Sequence, residues 1–286
     1  MFCSKSSWLV LFGVALFTAA LFSGNQCAWC DPAVHVFQPP VGDRWHYPFN
    51  FSPGTRPTAS IFWNNGRDFP IFNKRDGYVI LRWNTSSLIP SGNAPESYLV
   101  EGCTVTVFNV ASATWTLDGL NSDGVQKRLE MFGVGFTDIN PETWVESTAY
   151  VGGNVGGPVP AAQRDPYPLD LATQGHAEDS LNALPWALGT LIGYNPPNQT
   201  APFPIVFTLD TSQPSIRAYI QQSLSLGRLY WIVATPIDAP VMGGSPSSSP
   251  VIIMKEGVGS HPGSEAPRMA IELGEQGSSV EKWNFY

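Results

Sequence analysis

The sequence predicts an all-β domain. Glycine and proline are abundant, with 27 and 26 of 286 residues, and only 13% of the chain is charged. Short runs of β-branched and aromatic residues recur between turn formers, and only one segment carries a clear helical apolar period.

At the start of the chain Lys5 precedes the apolar run "WLVLFGVALFTAALF", which is followed by small and polar residues up to Cys30. That order reads as a secretory signal peptide. The run falls short of the roughly 20 apolar residues that a membrane-spanning helix needs, and no later stretch approaches it, so no membrane span is expected after processing. Ala28 and Cys30 suit the −3 and −1 positions of a cleavage site, which would start the mature chain at Asp31. Gln26 and Trp29, standing before Cys27 and Cys30, argue against a lipidated cysteine. The C-x-x-C spacing of Cys27 and Cys30 ends the leader and has no βαβ context, so it is read as incidental. Beyond it only Cys103 remains, and the fold must hold by core burial.

The organisation expected is a signal peptide over 1–30, a single β domain over 31–273 and a surface tail over 274–286. About 255 residues suit one all-β domain. The formal net charge is −8, and because the leader holds Lys5 and no acid, the remainder carries −9. Nucleic acid is therefore not expected as a partner, since binding a phosphate backbone draws on clustered Lys and Arg. The doublets Lys74-Arg75 and Lys127-Arg128 are read as solvated faces.

Individual strands follow from period-two alternation. "DGYVILRWNT" places Val79, Leu81 and Trp83 on one face, expected to be buried, with Arg82 and Asn84 opposite. "GCTVTVFNV" turns Cys103, Val105 and Val107 inward and the threonines outward, making Cys103 a core residue. Between them "SLIPSGNAPES" is a connection rich in turn formers. "PIVFTLD", "GRLYWIVAT", "PVIIMKE" and "PRMAIEL" read as four more strands, with Met269, Ile271 and Leu273 facing inward in the last.

"TSQPSIRAYIQQSLSLG" is the helical exception. Pro214 suits a first turn, Ser212 or Gln213 the cap, Gly227 the stop, and Ile216, Tyr219, Ile220 and Leu224 form one stripe. From 152 to 204 patterning fades into a Gly/Pro-rich insertion, expected to be irregular apart from a short helix around "DSLNALPWALGTL", with Asp179 or Ser180 as its cap and Pro185 interrupting it.

In this order the pieces resemble the DNRLRE domains, secreted β-sandwiches that overlap a class of carbohydrate-binding modules. "GYVILRWNTSSLIPSG" is similar to that family's "ylrFdlsslP-G" strand and turn, "CTVTVFNV" to the strand that follows, and "TWVESTAY" to its "W-x-E-x-x-(v/i)-T-W" segment through Trp144 and Glu146. "IIMKEGVGSHPGSEAPRMAIEL" looks like its closing strand pair. The family's "Twnn-P" continuation is replaced by "YVGGNVGGP". The resemblance implies a jelly-roll-type β-sandwich, an extracellular or cell-surface location, and extracellular polysaccharide as the ligand class.

Catalytic signatures are sparse. Neither G-x-S-x-G nor H-E-x-x-H occurs, and His35, His46, His176 and His261 have no ligand spacing. A glycosidase needs two carboxylates across a cleft, a separation that only the fold sets, and Asp138, Glu142, Glu146 and Asp165 are the first to consider. The expectation is a non-catalytic protein, with a purely structural surface or matrix role as the alternative and a polysaccharide hydrolase or lyase third. No cofactor is expected. The turn "DGLNSDG" offers Asp118, Asn121 and Asp123, and two readings stand: a plain polar hairpin, or a structural calcium of the kind that sugar-binding sandwiches carry.

If "TWVESTAY" is extended, Trp144, Glu146, Thr148 and Tyr150 share a face. Aromatic rings beside a carboxylate make a sugar platform, and they equally close the edge of a sandwich while the carboxylate serves backbone amides in a turn. "DRWHYPFNF" raises the same choice for Trp45 and Tyr47. The candidate ligand-binding residues are therefore Trp144, Glu146, Tyr150, Trp45 and Tyr47.

Overall fold

The runs that alternate in sequence pair with one another as an antiparallel sheet. A computed structural model describes residues 32–47, 54–63, 77–111, 115–122, 124–134, 145–146, 185–193, 200–239 and 249–274, all within the unit Asp31–Tyr286. Its strands are β1 (Ala33–Phe37), β2 (Gly42–His46), β3 (Thr58–Ser60), β4 (Tyr78–Asn84), β5 (Val100–Asn109), β6 (Glu130–Gly133), β7 (Ala187–Leu191), β8 (Phe203–Leu209), β9 (Arg228–Ala234), β10 (Val251–Ile253) and β11 (Arg268–Leu273). A single α-helix, α1 (Pro214–Ser225), stands between β8 and β9.

The strands form one curled sheet in the order β1-β11-β5-β8-β7-β6-β9-β4-β2, with β10 pairing β3 and the end of β5. Register follows the predicted alternation. Val79, Leu81 and Trp83 of β4 lie opposite Val233, Trp231 and Leu229 of β9, and Cys103, Val105 and Val107 of β5 lie opposite Leu209, Phe207 and Ile205 of β8. These side chains, with Met131, Met269 and Ile271, make one buried core that spans both halves of the sheet. Burying each large apolar chain contributes roughly 1.5–3 kcal/mol, set against the entropy of ordering the chain.

The helix matches its reading closely. Gln213 is the N-cap residue and Pro214 opens the first turn. Ile216, Tyr219, Ile220 and Leu224 enter the common core. Gly227, at φ +73°, ends the helix, and its carbonyl accepts the Thr85 and Ser86 amides. A side chain there would sit in a left-handed conformation that only glycine adopts without cost.

Two readings are corrected. The face of β4 opposite its core side is also buried, because Tyr78 and Ile80 join Phe132, Val134, Tyr230, Ile232 and Ala234 in a second apolar cluster. The consecutive apolar residues of "YVIL" and "YWIVA" are the physical reason, since a strand buried on both faces reads as a continuous run. Within 152–204, Ala187–Leu191 is a strand and no helix; it pairs β6 on one side and β8 on the other, joining the two halves of the sheet. Helix propensity in Ala-Leu yields here to pairing on both edges. The proposed caps Asp179 and Ser180 lie outside the described residues. No helix among the described residues is long and apolar enough to cross a membrane.

Candidate functional site

Among the described strands β2 ends the sheet and pairs only β4. Its register sets Asp43 opposite Leu81 and Trp45 opposite Val79, so both side chains share the core-side face, while Arg44 and His46, opposite Ile80 and Tyr78, share the other. A carboxylate thereby sits in an interior position, where charge is costly unless partners meet it.

The partners come from two distant segments. Lys255 opens a 3-10 turn after β10, Lys255–Ser260, and its backbone N–H donates to Asp43 Oδ2 at 2.5 Å. Glu146 lies in a turn, and its Oε2 accepts the Asp43 N–H at 3.2 Å. Arg44 donates to the Glu146 carbonyl at 2.9 Å, which ties the turn to β2. Gly54, at φ +73°, lies against the Glu146 side chain so closely that a Cβ would stand 2.8 Å from Cγ. Only glycine lets Glu146 lie there.

At the centre stands the Lys255 ammonium. It lies 2.5 Å from both Glu146 carboxylate oxygens, 3.3 Å from the Val41 carbonyl, 3.4 Å from Glu256 Oε1 and 3.7 Å from Asp43 Oδ1. The Asp43 side chain is fully buried, whereas those of Lys255, Glu146 and Glu256 are 20%, 26% and 28% exposed. Burial pushes the Asp43 carboxyl up to about 7, against the lowering effect of the Lys255 amide. Burial works against the charge on Lys255, but the hydrogen bonds with Glu146 and the surrounding carboxylates outweigh it and raise its pKa. The Arg44 guanidinium is lowered to about 10 by burial.

Trp45 and Tyr47 follow Asp43 on the same face. Their rings stack with centroids 4.6 Å apart and planes 16° apart. Both are half-buried. Trp45 Nε1 donates to the Ser60 carbonyl at 2.8 Å, Arg56 lies over the indole at 5.8 Å, and Tyr47 meets Phe62 edge-on at 5.6 Å.

Of the residues expected to bind ligand, Glu146, Trp45 and Tyr47 are thus gathered at β2, while Trp144 and Tyr150 lie outside the described residues. In the turn proposed for calcium, Asp123 lies outside them as well. Asp118 is exposed, and its N–H donates to Thr116 Oγ1. Asn121 is buried and braces the hairpin: its Oδ1 accepts the Val125 N–H at 2.8 Å and its Nδ2 donates to the Pro236 carbonyl at 2.9 Å. Asp238 holds the same turn through the Ser122 N–H and hydroxyl.

Asp43, Lys255 and Glu256 were not singled out from sequence. The available signal was the alternation of Asp43 with Trp45 and Tyr47 in "DRWHY", which sets the carboxylate on the same face as the two rings.

The fold and site define an antiparallel β domain with an aromatic pair and a lysine-centred carboxylate cluster on its edge strand. No family model matches the chain, and no curated protein matches it.

Proposed function

We propose that the protein is an exported, non-catalytic β-sandwich of jelly-roll type, akin to the DNRLRE domains, that binds a neutral extracellular polysaccharide at the Trp45–Tyr47 end of β2. The observation that carries this reading is the stacked, half-buried pair of rings at the end of β2, following on the face that carries Asp43. Aromatic faces take the C–H faces of sugars, and neighbouring charged groups take the hydroxyls. The −9 charge beyond the leader disfavours acidic chains. Arg128, half of one basic doublet, is engaged by Glu130 at 2.6 Å. A catalytic role for Asp43 is disfavoured by its complete burial, which keeps it from a substrate.

A purely structural role is the second reading, favoured by the Trp45 hydrogen bond to Ser60 and the packing of that indole against the core. Titration calorimetry of Trp45→Ala, Tyr47→Ala, Trp144→Ala and Tyr150→Ala against glycans selected on an array separates the two, with thermal unfolding measured alongside. Loss of a stacking ring is expected to weaken binding by about 2 kcal/mol, roughly thirtyfold, with little dependence on salt. Substitutions that lower stability and leave affinity untouched would assign the rings to the core.

A further inference from the structure

The oxygens around Lys255 Nζ have the makings of a cation site. Five of them, from Glu146, Glu256, Asp43 and the Val41 carbonyl, lie within 3.7 Å of that single atom. Ligating oxygens of Asp43, Glu146 and Glu256 also lie within 4.8 Å of one another. Three carboxylates face one ammonium, which leaves an excess of negative charge in a partly enclosed space. An independent feature points the same way: the Asp43 side chain is fully buried, and its Oδ1 accepts no hydrogen bond from any described residue. That oxygen faces the ammonium from 3.7 Å, beyond hydrogen-bonding reach. The ammonium meets it only as a long ion pair, and a metal ion at the centre would bind it directly.

We propose that this cup binds a calcium ion and that the Lys255 side chain is a tethered cation that the metal displaces. The donors are all hard oxygens, with no sulfur or imidazole among them, which suits calcium over zinc. Glu146 already presents both oxygens to one point at equal distance, the arrangement of a bidentate calcium ligand. Calcium ligands stand at about 2.3–2.6 Å, so Glu256 and Asp43 would each move inward by roughly 1 Å, with water completing the shell. Lys255 can leave because its stem is flexible and its side chain is one-fifth exposed. Its backbone N–H would stay on Asp43 Oδ2, leaving Oδ1 for the metal. The ion would then tie β2, the Glu146 turn and the turn after β10 at one point, three segments far apart in the chain.

The test is calcium chloride titrated into chelator-stripped full-length protein, read by calorimetry and by the shift in unfolding temperature. The expected result is one site that raises the unfolding temperature, that is lost in Glu256→Gln and Asp43→Asn, and that tightens by about tenfold or more in Lys255→Met, where the competing charge is gone. Glu256 is partly exposed, so Glu256→Gln keeps the test sound should Asp43→Asn fail to fold. Absence of heat and of any stability shift in both the wild type and Lys255→Met would overturn the proposal. So would binding that persists unchanged in Glu256→Gln and Asp43→Asn, which would place the ion elsewhere. Binding by Lys255→Met alone would show the lysine to be a permanent resident, and would overturn the assignment for the native chain.

Discussion

Cys103 shows what alternation reveals at the level of a single residue. Flanked by Val105 and Val107 at two-residue spacing, it falls in the core, and burial pushes its thiol far above the usual range. The thiolate is the reactive species, so the native protein should not react with an aromatic disulfide reagent at neutral pH, and should react stoichiometrically once urea unfolds it. Rapid labelling of the native state would displace β5 from the core. Asp43 is the opposite case. A charged residue in a short strand reads as solvent-facing by type. What places it inside is the register with Leu81 and the arrival of Lys255 from more than 200 positions away. Local pattern carries no trace of that contact, so Trp45, Tyr47 and Glu146 could be named as candidates from the sequence while Asp43, Lys255 and Glu256 could not.

Among the elements, α1 was readable from cap to stop because each of its signals is local. Gly227 is the sharpest of them. At φ +73° a side chain is strained, and a Cβ would stand 3.1 Å from the Cβ atoms of Ser86 and Ser91. Gly227→Ala should therefore cost about 1–2 kcal/mol or more, measured by urea unfolding with calorimetric confirmation. A neutral result would mean that the turn at 85–87 moves freely away from the helix end. Strand β7 was missed for the converse reason. "ALGTL" has little β preference of its own, and it becomes a strand by pairing on both edges, with Gly189 giving Leu129, Ile205 and Phe207 the space that a Cβ would take. Propensity is a weak prior wherever two partners supply the ladder.

For the molecule as a whole, the β character was evident from composition and turn spacing, whereas the strand order was not, since pairing partners lie far apart in sequence. Both halves of the sheet and α1 share one core. Near-ultraviolet dichroism, tryptophan fluorescence and calorimetry should accordingly report one coincident unfolding transition. Two separated transitions would show that the strands on either side of β7 are independent units.

The pairing of β1 with β11 has a consequence for how the chain is made. Ala33 lies opposite Leu273 and Phe37 opposite Met269, so the first of the described strands is matched to the last of them. The edge cannot close on a growing polypeptide. Until β11 emerges, β1 has no partner in the sheet, and its exposed Val34 and Val36 belong to an open strand of the kind that recruits foreign strands. Closing so long a loop is also slow, because the entropy of bringing the ends together must be met before the contacts form. The nascent protein thus has a vulnerable interval that lasts until β11 is delivered.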